Sequence, residues 1–211
     1  MIKGLIFDLD GVIVFTDRFH YLAWKMMTNE IGVYFDKEIN NRLRGVSRME
    51  SLDIILEKYD GEPLTVEKKD NLAFTKNEYY RELLNTMTPA DVTNEVTQTL
   101  QTLRERGYKL AIGSSSKNAK FILEKTGLMN AFDAISDGTN ISKSKPDPEV
   151  FLKAAEFLGL KPEECAVIED AYAGIDAAKT GNMMAIAIGD AATYEKADMI
   201  LGTFDELLAI T

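Results

Sequence analysis

Lys3-Gly4-Leu5-Ile6-Phe7-Asp8-Leu9-Asp10-Gly11 is the stretch on which the fold turns. The apolar run reads as a buried parallel strand over residues 3–7. It stops at two carboxylates, and Gly11 relaxes the backbone just after them. In a parallel sheet, ligands gather outside the carboxyl ends of the strands. Asp8 and Asp10 therefore stand where such a crevice forms, and the pair is suited to binding Mg²⁺ and attacking phosphorus.

Downstream, the pattern changes before it returns. Thr16 or Asp17 can cap a helix that carries Phe19, Leu22, Ala23, Met26, Met27 and Ile31 at helical spacing and ends at Gly32. Further helical stretches are expected at about 36–43, 48–58 and 65–87, with no convincing strand among them. After Pro89 strand and helix alternate. A helix through Val92, Val96, Leu100 and Leu103 precedes a strand at 108–112, and a helix at about 117–126 precedes a short strand at 132–135. Helix 148–158, strand 166–168, helix 174–180, strands 184–188 and 199–200 and a last helix at about 204–209 follow. This βαβ series predicts an α/β fold: a doubly wound, Rossmann-like parallel-sheet core with an inserted α-helical domain. The expected division is 1–15 with 89–211 for the core and 16–88 for the insertion.

The 211 residues suffice for one α/β domain with a modest insertion. The formal charge of −10 disfavours nonspecific binding to nucleic acid or anionic membranes. It leaves room for an anionic small substrate where a metal and a local lysine reverse the field. One cysteine, Cys165, allows no intrachain disulfide and fits a reducing cytoplasm. No signal peptide and no membrane span are expected, since acids interrupt the first apolar run and no stretch of about 18 apolar residues follows. A monomer is expected, as no long apolar seam is visible.

Three other expected strand ends carry chemistry. Strand 108–112 runs through Gly113 into Ser114-Ser115-Ser116-Lys117-Asn118, a hydroxyl and backbone N–H groups fit to cradle phosphate. The loop 142–148 holds Lys143 and Lys145-Pro146, and strand 166–168 exits into Glu169-Asp170, a second acidic pair for a hard cation. Taken singly, each is more often bland: a solvated turn, a helix cap, a loop proline, a surface pair. Their order at successive strand ends is what carries weight.

That order resembles the haloacid dehalogenase superfamily of aspartate-nucleophile phosphotransferases. Asp8-Leu9-Asp10-Gly11, Ser114, Lys145-Pro146 and Glu169-Asp170 match its four motifs, and the helical block resembles its mobile cap. The resemblance implies Asp8 as nucleophile, forming an aspartyl-phosphate, and Asp10 as general acid/base. It implies Mg²⁺ held by Asp8, the Asp10 backbone carbonyl and Asp170, with Glu169 in or beside the ligand set. Ser114 and Lys145 would bind the transferring phosphoryl group.

Cap segments resemble more narrowly the β-phosphoglucomutase family within it. They are Thr16 with His20 and Trp24, Gly45-Val46-Ser47-Arg48-Met49-Glu50-Ser51, Lys76-Asn77 and Thr88-Pro89-Ala90-Asp91-Val92, with Ser114-Ser115-Ser116-Lys117-Asn118 in the core. Arg48 would grip the nontransferring phosphate, and His20 would pair with Lys76 to sense substrate. The implied substrate is a sugar phosphate, β-D-glucose 1-phosphate, converted to glucose 6-phosphate with β-D-glucose 1,6-bisphosphate as intermediate and activator. Phe15 stands where that family often has an acid, and Ala171 where serine is common. A sugar-phosphate phosphatase and a noncatalytic phosphate-binding module remain as alternative readings.

Overall fold

The computed structural model of the protein describes residues 1–43 and 47–210. The chain divides into two compact units, residues 1–15 with 87–211 and residues 16–86. Among the described residues the first unit carries a six-stranded sheet, β1 (Gly4–Phe7), β2 (Lys109–Gly113), β3 (Ala134–Ser136), β4 (Cys165–Glu169), β5 (Met184–Ala187) and β6 (Met199–Ile200). The order is β3-β2-β1-β4-β5-β6 and every pair is parallel. Leu5, Ile6 and Phe7 are wholly buried, which accounts for their unbroken apolar run in a central strand covered on both faces. Strand order reverses between β1 and β4, the switch point at which α/β sheets open a crevice.

Helices follow in chain order: α1 (Asp17–Glu30), α2 (Lys37–Asn41), α3 (Arg48–Leu56) and α4 (Val66–Leu84) in the second unit. In the first unit they are α5 (Asn94–Glu105), α6 (Ala119–Lys125), α7 (Glu149–Leu158), α8 (Tyr172–Thr180) and α9 (Leu207–Ile210). Ile6, Ala111, Val167 and Ala185 pack with Phe151 and Leu158 of α7 and Ile175 of α8 on one face of the sheet. Phe7 meets Phe132 edge-on and packs beside Phe204. In the helical unit, Trp24, Met27, Phe35, Leu52, Ile55 and Ala73 form a separate core. Among the described residues no helix is long and apolar enough to cross a membrane.

Several boundaries shift by one to three residues from the sequence reading, and two of the shifts have a visible cause. Val92 precedes its helix: Thr88 and Asp91 cap one another around a 3₁₀ turn at Pro89–Asp91, and Thr93 then caps α5 at Val96 N. Two caps in succession hold Val92 extended between them. β3 lies at Ala134–Ser136, later than the expected strand at 132–135: Asp133 N–H donates to Leu110 O at 2.7 Å, but the Leu110 amide goes to the Asp133 carboxylate instead of a backbone carbonyl.

Candidate active site

Asp8 follows β1 directly, its N–H bonded to Ile168 O at 2.9 Å, and Glu169 is the last residue of the neighbouring β4. The chain then turns tightly: Leu9 O accepts from Ile13 N and Val14 N, and Gly11 N donates to Val14 O at 2.7 Å. Gly11 sits at φ 90°, and a Cβ there would lie 1.9 Å from Asp170 Oδ2. The glycine thus meets a close approach to a carboxylate as well as a backbone requirement.

Lys145 Nζ reaches the same point from the loop after β3. It donates to Asp8 Oδ1 and, at 3.0 Å, to Glu169 Oε1, and it lies 4.7 Å from the centre of the Phe151 ring. The Lys145–Pro146 peptide is cis. Glu149 pins this loop by accepting from Ser142 Oγ and from the backbone N–H groups of Ser142 and Lys143. The Ser142 hydroxyl and the Lys143 amide hold the Glu149 carboxyl at about 2. Lys143, by contrast, is 70% exposed and pairs only loosely with Asp147.

Oxygens of Asp8, Glu169 and Asp170 lie within 4.8 Å of one another. Three carboxylates against one ammonium leave the buried cluster short of positive charge. Burial, then the Asp8 charge, pushes Glu169 up to about 8 and Asp170 up to about 7. Burial also raises Asp8 against the opposing pull of Lys145, with Asp10 adding to the rise. Burial disfavours the Lys145 ammonium, but Asp8 and Glu169 more than offset it. Hard oxygen donors with excess negative charge are what Mg²⁺ requires, and the set fits that ion.

The pH dependence follows from the signs. Glu169 and Asp170 titrate above ordinary carboxylates, so the stability they lend the metal-free fold is complete at acid pH and is lost as pH rises through 7 to 8. Over the same window protons cease to compete with the metal. Thermal stabilisation by a fixed Mg²⁺ concentration should therefore be larger at pH 8.5 than at pH 6, by about 3 °C or more. Equal gains at both values would contradict this assignment.

The serine loop follows β2, beside the end of β1. Ser114 is buried, its N–H bonded to Ser136 O, while its Oγ accepts from Ser116 N and Ser116 Oγ accepts from Asn118 N. Asn118 is buried, Lys117 is exposed, and Ser115 Oγ is buried with no hydrogen-bond partner. Asp10 is half-buried. Ala171 occupies the N-cap position of α8 without a side-chain cap. Two glycines that the motif reading passed over are fixed by the site: a Cβ at Gly174 would overlap the Glu169 carboxylate, and one at Gly138 would lie 2.4 Å from Ser115 O. Their signal in the sequence is only a small residue near a motif.

The helical unit gathers its own set. His20 Nδ1 and Lys76 Nζ are 2.9 Å apart, and Lys76, 4% exposed, lies over the Trp24 and Tyr80 rings. Thr16 Oγ1 is 2.9 Å from the Tyr80 hydroxyl. Ser47 and Glu50 form a capping box at the start of α3, Ser51 is buried, and Arg48 donates to Asn77 Oδ1 at 2.9 Å. Gly45 and Val46 lie outside the described residues. Phe15 is exposed. Asn77 was named only as part of the Lys76-Asn77 segment, and Tyr80 was not among the expected site residues; nothing separates Tyr80 from an ordinary core aromatic at helical spacing.

The haloacid dehalogenase-like hydrolase family matches residues 2–182. The chain belongs to that family. Among its relatives, the haloacid dehalogenase-like proteins, it is 40% identical to a β-phosphoglucomutase from Bacillus subtilis over 97% of this chain and 91% of that protein. It is 32% identical to a fructose-1-phosphate phosphatase from Escherichia coli over 88% of this chain and 95% of that one. The crystal structure of a β-phosphoglucomutase from Clostridium difficile superposes with a TM-score of 0.87 at 38% identity, covering 98% of this chain and 93% of the other.

Proposed function

We propose that the protein is a β-phosphoglucomutase, interconverting β-D-glucose 1-phosphate and glucose 6-phosphate through an aspartyl-phosphate and β-D-glucose 1,6-bisphosphate. The observation that carries this reading is that the likeness to the Bacillus subtilis β-phosphoglucomutase spans 97% of the chain, helical unit included. Core residues alone would leave the acceptor undecided, since water and a sugar hydroxyl can use one nucleophile.

In this reading an Asp8 oxygen attacks phosphorus, a bond to that oxygen forms, and the bond to the leaving oxygen breaks. Asp10 donates the proton the leaving oxygen needs and removes one from the next acceptor hydroxyl. Lys145, held between Asp8 and Glu169, orients the nucleophile and opposes the burial that disfavours its charge. Ser114 and the amides of its loop receive the transferring oxygens. Asp8, Asp170, the Asp10 carbonyl and Glu169 would hold Mg²⁺, which when bound offsets the negative charge of the phosphoryl group. The helical unit acts as a cap that excludes water. Its Arg48, steadied by Asn77, binds the phosphate that is not being transferred.

The likeness to the Escherichia coli phosphatase supports the second reading, the same core with water as acceptor. One assay separates them. With β-D-glucose 1-phosphate, Mg²⁺ and a trace of β-D-glucose 1,6-bisphosphate, glucose 6-phosphate should form well in excess of free phosphate, with no turnover of the α-anomer. Free phosphate as the main product would overturn the mutase assignment.

A further inference from the structure

Two residue pairs one helical turn apart face each other in the helical unit: Thr16 and His20 at the start of α1, Lys76 and Tyr80 on α4. They pair in opposite order, Thr16 with Tyr80 and His20 with Lys76. Tyr80 is the hub. It is fully buried, its hydroxyl lies 2.9 Å from Thr16 Oγ1, and its ring stacks on the His20 imidazole at 4.1 Å. The same ring lies 4.8 Å from Lys76 Nζ, and Trp24 offers a second ring at 4.9 Å.

Two aromatic faces favour the ammonium form of a lysine that burial alone would discharge. An ammonium donates and cannot accept. At 2.9 Å from Lys76 Nζ, His20 Nδ1 must then be the acceptor, so the proton of the neutral ring resides on Nε2. We propose that Tyr80 is a positioning residue that fixes His20 as the single Nε2–H tautomer, so that this ring offers a donor to an oxygen of the bound sugar phosphate. The tautomer follows from the helical unit's own geometry; the identity of the oxygen rests on the proposed function. The Thr16 contact holds the Tyr80 ring, and the ring holds the imidazole plane against Lys76.

His20 is the chain's one histidine, so a ¹⁵N-histidine-labelled full-length protein gives one imidazole signal pair. Long-range ¹H–¹⁵N correlation at pH 9, where the ring is neutral, reads the tautomer without substrate or turnover. A mutase assay that fails would therefore leave this measurement standing, and the reverse holds too. Native protein should show the Nε2–H pattern alone. Tyr80→Leu, with folding verified by circular dichroism, should lose that single pattern and show the Nδ1–H form as well. A native mixture, or Tyr80→Leu spectra unchanged from native, would overturn the proposal. Should Tyr80→Leu not fold, Tyr80→Phe keeps the ring and removes only the Thr16 contact. Appearance of the Nδ1–H form there supports the proposal, and native spectra contradict it.

Discussion

Asp8→Asn should lower phosphoryl transfer by about 10⁴-fold or more while leaving the fold intact. The replacement is isosteric, and its amide oxygen can still accept from Lys145, so the loss falls on the nucleophile itself. An amide oxygen is a far poorer nucleophile than a carboxylate and gives no aspartyl-phosphate. One negative charge also leaves the cluster, which removes a main cause of the raised Glu169 and Asp170 values. Metal-free Asp8→Asn is therefore expected to melt no lower than the native protein at pH 8. Intact-mass measurement after mixing with substrate should show a phosphoryl adduct on the native chain and none on the variant. Retained turnover in Asp8→Asn would remove Asp8 from the chemistry.

Lys145→Ala should destabilise the metal-free protein by about 3–5 kcal/mol, a fall in Tm of roughly 10 °C. The lysine side chain is 10% exposed and sits between Asp8 and Glu169. Removing it leaves the carboxylates facing one another with no interior counter-charge. Mg²⁺ should recover part of the loss by supplying that charge, but turnover should stay low. Lys143→Ala is the control, because that side chain is 70% exposed and its removal should change stability by no more than about 0.5 kcal/mol. Thermal melts of the two variants with and without Mg²⁺ decide the matter. Equal losses for both would mean that the buried ion pairs carry no special weight.

The contrast between those lysines shows what a linear reading can and cannot resolve. Parallel strands were legible because a strand covered on both faces needs an unbroken apolar run, and acids at its end have no packing reason to be there. Asp8, Glu169 and Asp170 therefore stood out by type and place, and they do converge. Which lysine of the 142–148 loop turns inward was not legible from spacing alone, since it depends on Glu149 anchoring three groups of that loop. Tyr80 was hidden for a related reason: its partners lie 64 and 60 positions away, and its own helix shows only an aromatic at an inward position. The 3₁₀ turn before α5 was missed because Val92 continues the apolar spacing of Val96, Leu100 and Leu103, while two capping threonines, Thr88 and Thr93, close separate turns on either side of it.

The central place of β1 sets a clock on synthesis. Leu5 pairs with Leu110 on one side and Ala166 on the other, so β1 waits for partners made much later. At typical ribosomal rates the wait for β4 is on the order of 10–30 s. Through that time the apolar β1 segment lacks its β4 partner while the residues of α1 to α4 emerge behind it. Slowing translation after β1 should lengthen this exposure and make newly made chains more dependent on chaperones, although it alters no contact in the finished molecule.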